Sequence, residues 1–79
     1  VSGGGACPDV FAEMIREGAD CFVTGELTHP SYHYAAEAGV QVLTLGHYRS
    51  ETPGVLAVMN KVQEQFKIDC EFIDCPTGL

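Results

Sequence analysis

Glycine and proline residues divide this chain into short segments that alternate between helical and extended patterns, which limits the possible folds more than any other feature. Pro8, Pro30 and Pro53 each lie at the start of a segment with apolar residues at helical spacing. Gly18 and Gly39 follow the first two of these segments, where a left-handed residue commonly ends a helix. The pattern predicts the order helix, strand, helix, strand, helix, strand.

Short apolar segments follow each predicted helix. Residues 20–24 and 40–45 are the first two predicted strands, and residues 68–75 alternate apolar and acidic side chains, as a half-exposed strand near a sheet edge does. Thr52 is expected to cap the third helix, with Pro53 at its first position. The apolar stripe of that helix is expected to face the core: Val55, Val58, Met59, Val62 and Phe66. Strands alternating with helices of about 10 residues predict an α/β fold with a mostly parallel sheet covered by helices.

The glycine-rich segment at residues 2–5 stands directly before the first predicted helix. Such a turn normally follows a strand in this architecture, and no strand is predicted before it. We therefore expect a tight strand-to-helix turn, and either the first strand is missing or the chain is a fragment of a larger protein. A phosphate-binding loop is the alternative, although the lysine and the glycine spacing of the known phosphate-binding motifs are absent.

The charge balance excludes some classes of partner. The 79 residues include 11 acidic and 4 basic side chains, a formal net charge of -7, which argues against a nucleic-acid-binding or anionic-membrane surface. No apolar run approaches the roughly 18 residues of a transmembrane helix, and no secretory signal is visible. The four cysteines form no Cys-x-x-Cys pair. They are expected to be reduced thiols of a cytoplasmic protein, mostly in its core, with a disulfide framework as the alternative.

The segment Gly46-His47-Tyr48-Arg49-Ser50-Glu51 is the strongest candidate for chemistry. It follows the second predicted strand, and ligands gather at the carboxyl ends of strands in open α/β sheets. If the loop turns helically, the His47 nitrogen and the Glu51 carboxylate can reach one ion, and mixed nitrogen and oxygen ligation suits zinc, manganese or iron. The alternative is a loop histidine beside a glutamate that the helix dipole favours.

A second polar cluster follows the first predicted strand, at the same edge of the sheet. Glu26, His29 and His33 could be metal ligands, acid/base groups or residues that orient ligands. Alternatively, Thr28 and His29 cap a helix and His33 is a buried, hydrogen-bonded histidine. All three histidines of the chain are expected at one edge of the sheet, and this concentration favours a functional site.

Four segments in order carry a family resemblance: Ser-Gly-Gly-Gly, Gly-Ala-Asp-Cys-Phe-Val-Thr-Gly-Glu, Gly-His-Tyr-Arg-Ser-Glu and Phe-Ile-Asp-Cys-Pro-Thr-Gly. With these segments the chain resembles the NIF-three-like dinuclear metal-centre family, often named GTP cyclohydrolase I type 2 homologues. The resemblance covers residues 1–79 and corresponds to the C-terminal part of the family. It implies that residues 1–79 are a single α/β domain of a larger three-layer α/β/α protein.

The resemblance also implies a set of site residues. In that family two divalent metal ions lie between two halves of the protein, and the roles that carry over make His47 and Glu51 metal ligands. Glu26 and His33 would orient ligands, move protons or contact substrate, whereas His29 matches less well because Pro30 follows it. The remaining ligands, a His-His pair and an aspartate, belong to the N-terminal half. We therefore expect this chain alone to bind metal weakly or not at all.

The implied function is that of a metal-dependent hydrolase resembling GTP cyclohydrolase I type 2, with zinc, manganese or iron as cofactor and a nucleotide-like or phosphate substrate. The implied partners are the N-terminal half and further copies in a toroidal homo-oligomer. The leading alternative is a non-enzymatic, metal-bound scaffold or regulatory interaction protein. A small α/β module that completes its sheet by dimerising is a further alternative.

Overall fold

The computed structural model describes residues 1–79 and contains three strands and three helices: β1 (Ser2–Gly5), α1 (Pro8–Arg16), β2 (Cys21–Glu26), α2 (His29–Ala38), β3 (Gln41–Thr44) and α3 (His47–Phe66). The strands form one sheet in the order β1-β2-β3, and both neighbouring pairs are parallel. The predicted α/β class, with a parallel sheet and alternating helices, is confirmed.

The ends of α1 and α2 follow from the residues that sequence reasoning identified. Pro8 is the first residue of α1, and Gly18 adopts a left-handed φ of 73° just after that helix. At the start of α2, the Thr28 hydroxyl accepts a hydrogen bond from the Ser31 backbone N–H at 3.4 Å, and Gly39 ends the helix with φ 69°. These contacts satisfy backbone groups that have no partner inside the helix. The predicted boundaries of both helices are therefore confirmed to within two residues.

The core is small and lies between the sheet and the helices α1 and α2. Its buried apolar residues are Ala6, Phe11, Met14, Phe22 and Ala35. The rings of Phe11 and Phe22 meet edge to face with centroids 5.1 Å apart. The helix α3 crosses the other face of the sheet. Successive residues of a strand face opposite sides, so Gly25, three residues after Phe22 in β2, faces away from the core, and it lies against Ser50 of α3.

The glycine-rich segment is a strand, so the prediction of a turn without a preceding strand was wrong. In β1, Ser2 lies opposite Thr24 and Gly5 opposite Glu26, with a shift of register between these two pairs. Glycine has a low preference for strands, and pairing with β2 supplies the order that the local sequence lacks. The glycine-rich segment is therefore β1, which pairs with β2 in the order β1-β2-β3.

The third helix begins at His47, so the predicted start at Thr52 and Pro53 was wrong. Pro53 lies inside α3, where it cannot donate a backbone hydrogen bond to the Arg49 carbonyl one turn earlier. The Thr52 hydroxyl donates to that carbonyl instead, at 3.0 Å. This side-chain bond replaces the missing backbone bond and lets the helix continue through the proline.

The apolar stripe of α3 was expected in the core, and this expectation was wrong. No residue of α3 is buried, and Val55, Val58 and Phe66 are 56%, 64% and 63% exposed. A helix of 20 residues is about 30 Å long, whereas strands of 4 to 6 residues span about 13–20 Å. The sheet is therefore too small to cover the helix, and an apolar face remains open.

Residues 68–75 do not form the predicted last strand. They continue from α3 without helix or strand, because no neighbouring strand provides the hydrogen bonds that a strand needs. The four cysteines are free, as expected. Three of them, Cys7, Cys21 and Cys75, are exposed and Cys70 is half-buried, so their expected place in the core was wrong. None of the helices combines the length and the hydrophobicity that a membrane crossing requires.

Candidate functional site

Three of the predicted site residues meet where β2 ends and α3 begins. The His47 Nδ1 lies 2.8 Å from the Glu26 Oε1, and the His47 Nε2 lies 3.5 Å from the Glu51 Oε1. Because a carboxylate only accepts, the Nδ1–H of His47 donates to Glu26. The imidazole is therefore held between two carboxylates, one at each ring nitrogen.

The helical start of α3 produces this arrangement. His47 is the first residue of the helix, so Glu51, four residues later, lies on the same helix face. A helical turn over these residues was the condition under which both side chains could reach one ion. Zinc bonds to imidazole nitrogen and carboxylate oxygen of about 2.0–2.2 Å at a tetrahedral angle place the two donor atoms about 3.4 Å apart. The observed 3.5 Å between Nε2 and Oε1 matches that requirement. These two atoms therefore suit a divalent ion as a pair of ligands.

The backbone of β1 forms the floor of the cluster and leaves no room for side chains. A Cβ atom on Gly4 would lie 2.6 Å from the Glu51 Oε1 and 3.3 Å from the His47 Nε2. Gly4 also has a left-handed φ of 70°, which disfavours any other residue. The glycine-rich segment, first interpreted as a turn, is thus the surface against which the His47 and Glu51 side chains lie.

Ser50 joins this floor to α3, and sequence reasoning missed it. Its hydroxyl accepts a hydrogen bond from the Gly4 N–H at 2.8 Å and donates to the His47 carbonyl at 2.9 Å. Gly25 of β2 lies so close that a Cβ there would collide with the Gly4 carbonyl and with the Ser50 Oγ. The serine between His47 and Glu51 in sequence was the available signal, but its partner in β1 is 46 residues away.

The charges around His47 favour its protonated form. The hydrogen bond to Glu26 raises the pKa of the His47 imidazole most, partial burial opposes this, and the charges of Glu26 and Glu51 raise the pKa further. A metal ion on Nε2 must displace a proton, so ion binding and protonation compete at this atom.

His29 and His33 are not part of the cluster. Both are exposed on α2, where their rings lie 5.1 Å apart between centroids, and the His33 ring lies 5.4 Å from that of Tyr32. The alternative in which His33 is a buried histidine was therefore wrong, whereas the alternative of Thr28 as a helix cap is correct. No group of three or more histidine, cysteine, aspartate or glutamate side chains is arranged to hold a metal ion.

Two open cavities reach Glu51. One, of about 280 Å³, is lined by His47, Tyr48, Glu51, Thr77 and Leu79. The other, of about 630 Å³, lies between β1 and α3 and is lined by Gly3, Ser50, Glu51, Gly54, Val55 and Val58. The cluster is therefore accessible from two sides, one beside Thr77 and Leu79 and the other beside the exposed apolar residues of α3.

This arrangement defines an α/β protein with a histidine–carboxylate cluster at the carboxyl ends of its strands. The sequence model of the family described as Duf34/NIF3 (NGG1p interacting factor 3) matches residues 1–77. The chain belongs to this family, which confirms the resemblance drawn from its motifs.

Several similar curated proteins are considerably longer than this chain. Proteins named GTP cyclohydrolase 1 type 2 homolog from Archaeoglobus fulgidus and Pyrococcus horikoshii are each 46% identical to it, over 67 and 80 residues. These alignments cover 85% and 100% of the chain but 27% and 30% of the relatives. The homolog of that name from Halobacterium salinarum is 44% identical over 79 residues, with 100% and 30% covered. The chain thus spans less than a third of these relatives, and no solved structure matches it significantly.

Proposed function

We propose that this chain supplies one side of a divalent-metal centre in a metal-dependent hydrolase. The observation that supports the proposal is the His47 imidazole, fixed by Glu26 at Nδ1 and facing the Glu51 carboxylate at Nε2. A carboxylate that accepts from the second nitrogen of a ligating histidine is the usual way in which proteins orient such a ligand. The related proteins named GTP cyclohydrolase 1 type 2 homolog are consistent with hydrolysis of a nucleotide-like or phosphate substrate.

Each residue of the cluster has a distinct role in this proposal. His47 and Glu51 hold the ion, which would be zinc, manganese or iron. Glu26 keeps the proton on Nδ1, so that Nε2 presents its lone pair to the ion. Gly4 and Ser50 fix the distance between β1 and α3. The ion would lower the pKa of a bound water and stabilise negative charge that develops on the substrate. His33 makes no contact with the cluster, so any role it has lies in the outer part of a substrate site.

The complete centre needs ligands from outside this chain. Two protein ligands are fewer than the three that catalytic zinc sites use. The relatives extend over more than three times the matched length, which leaves room for the second half that would complete a two-ion site. We further propose that this half, and other copies in a ring-shaped homo-oligomer, are the partners of the chain.

Turnover by the full-length protein that contains this chain tests the proposal. The protein is loaded with Mn²⁺ or Zn²⁺ and assayed on GTP and on p-nitrophenyl phosphate, beside His47→Ala, Glu51→Gln and the control His29→Ala. The first two variants should lose at least about 100-fold in kcat/KM, because each removes an ion ligand, whereas His29→Ala should stay within about threefold. A wild-type protein no more active than His47→Ala would refute the hydrolase.

Metal binding by the 79 residues alone is a separate test. Calorimetry with Zn²⁺ should show weak binding or none, because the chain supplies two ligands to each ion at most. Tight binding of two ions per chain would show that the proposed division of ligands between two halves is wrong.

The open face of α3 supports a second candidate, a metal-bound scaffold or regulatory interaction protein. Val55, Val58 and Phe66 are all more than half exposed on one helix, and contiguous apolar surface commonly marks an interaction site. Val58→Asp and the control Glu64→Gln are compared by sedimentation, metal content and turnover in the full-length protein. Loss of assembly in Val58→Asp, in a wild-type protein without turnover, would favour the scaffold. Turnover in the wild type together with an unchanged assembly in Val58→Asp would contradict it.

A further inference from the structure

We propose that residues 74–79, here named the tail segment, form one wall of the metal site, and that Tyr48 is the positioning residue that holds this wall in place. The inference rests on the proposed function and extends it to the part of the substrate that does not contact the ion. Tyr48 directly follows His47 in α3. Its hydroxyl donates a hydrogen bond to the Asp74 Oδ1 at 2.8 Å and accepts one from the Cys75 backbone N–H, also at 2.8 Å.

The same residue also contacts the far end of the tail segment. The Tyr48 backbone N–H donates to the Leu79 carbonyl at 3.2 Å. Between these contacts the segment contains Pro76, whose ring fixes φ, and Gly78, whose left-handed φ of 81° turns the chain back towards α3. Gly46 permits the close approach, since a Cβ there would lie 3.3 Å from the Leu79 carbonyl oxygen. Tyr48 therefore holds both ends of an arch.

Burial contributes little to holding this arch. Ile73, which directly precedes the segment, and Leu79, its last residue, are 75% and 69% exposed. The Thr77 hydroxyl bonds only within the segment, accepting from the Leu79 N–H at 3.4 Å. The hydrogen bonds to Tyr48 are consequently the main contacts that keep the tail segment beside the start of α3.

The position of the arch gives it a role in recognition. The cavity of about 280 Å³ has His47 and Glu51 on one side and Thr77 and Leu79 on the other. Residues 76–79 carry no charged side chain, so a ligand there meets a hydroxyl, backbone groups and apolar carbon. A compact phosphorylated compound fits this division, with its phosphate at the ion and its uncharged part on the tail segment. This open cavity is close in volume to the smallest small-molecule sites, about 300 Å³.

Tyr48→Phe tests the proposal, because it removes the hydroxyl and keeps the ring. Tyr34→Phe on α2 is the control, since it removes the same hydroxyl from a tyrosine that makes none of the hydrogen bonds to the tail segment. Amide hydrogen exchange of the full-length protein is followed in peptides that cover residues 74–79. Loss of both hydroxyl hydrogen bonds should speed exchange there by at least about fivefold in Tyr48→Phe, while peptides of α3 and the control variant remain unchanged.

Kinetics of the Mn²⁺-loaded protein on p-nitrophenyl phosphate give the readout that a merely structural role would not change. Tyr48→Phe should change KM by at least about threefold, with Mn²⁺ affinity and kcat within about twofold of wild type. Unchanged exchange in the tail segment, or an unchanged KM, overturns the proposal while the proposed function stands. A wild-type protein without Mn²⁺ binding and turnover overturns the proposed function, and the recognition role of the tail segment with it.

Discussion

Replacing Gly4 by alanine separates the geometry of the site from the stability of the fold. Gly4 and Gly18 have nearly the same left-handed backbone, with φ of 70° and 73°. A side chain in this conformation costs about 1–2 kcal/mol, so Gly4→Ala and Gly18→Ala share that loss. Their surroundings differ, because a Cβ on Gly18 meets nothing within 4 Å, whereas one on Gly4 lies 2.6 Å from the Glu51 Oε1.

The conflict at Gly4 is relieved by movement of Glu51. That carboxylate is the end of a flexible side chain with 58% exposure, so it can rotate away for about 1 kcal/mol. Gly4→Ala should therefore lower the free energy of unfolding by about 1–3 kcal/mol and Gly18→Ala by about 1–2 kcal/mol. The larger effect concerns the ion, because the rotated carboxylate no longer faces the His47 Nε2.

Two measurements check this reasoning. Urea unfolding gives the loss of stability in each variant, and calorimetry with Zn²⁺ gives the affinity of the full-length protein. Gly4→Ala should lose at least about tenfold in affinity, and Gly18→Ala should bind as the wild type does. Equal affinities in the two variants would refute the view that the β1 backbone fixes the position of Glu51.

Three further changes test the core and the electrostatics. Thr24 is 1% exposed and its hydroxyl has no hydrogen-bond partner, so Thr24→Val should raise the free energy of unfolding by about 1–2 kcal/mol in urea melts. Thr44 is the exposed residue opposite Thr24 in the sheet, and the control Thr44→Val should give no such increase. A loss of stability in Thr24→Val would contradict this reasoning. Phe11→Ala should lower the free energy of unfolding by about 3–5 kcal/mol, so thermal unfolding followed by circular dichroism should show a broadened transition or none. A cooperative transition near that of the wild type would show that the core is wrongly assigned. The raised pKa of His47 should appear in a metal-free NMR titration above its ordinary value of about 6.5 and fall in Glu26→Gln. The protonated His47 ring then stabilises the fold below about pH 6.5, and this stabilisation is lost as the pH rises through the folded-state pKa. A His47 pKa at or below 6.5 in the wild-type protein would refute the proposed effect of Glu26.

The parts of the fold that follow from local chemistry could be predicted from the sequence. The ends of α1 and α2 depend on Pro8, Gly18, Thr28 and Gly39, whose preferences act within one turn of chain. The strand β1 could not be predicted in this way, because glycines have no strand preference and its order comes from pairing with residues about 20 positions later. The residues at 68–75 show the reverse case, since their alternation suits a strand but no partner strand is present.

The residues of the candidate site also differ in whether they could be predicted from the sequence. His47, Glu51 and Glu26 could be found because their side chains are chemically distinctive and follow strands. Ser50 and Tyr48 could not, since their partners, the Gly4 amide and the tail segment, are close only in the folded chain. The start of α3 was misplaced because the proline at 53 is typical of a first turn, and the compensating bond from the Thr52 hydroxyl is visible only in three dimensions.

The hydrogen bond between the Ser50 hydroxyl and the Gly4 amide has a thermodynamic consequence. Opening of β1 would break this bond and release the floor under Glu51. A ligand that needs Glu51 in its observed position therefore favours the closed form of β1. A ligand at 100 times its dissociation constant would stabilise that form by about 2.7 kcal/mol, so occupancy of the site and protection of the β1 amides should rise together.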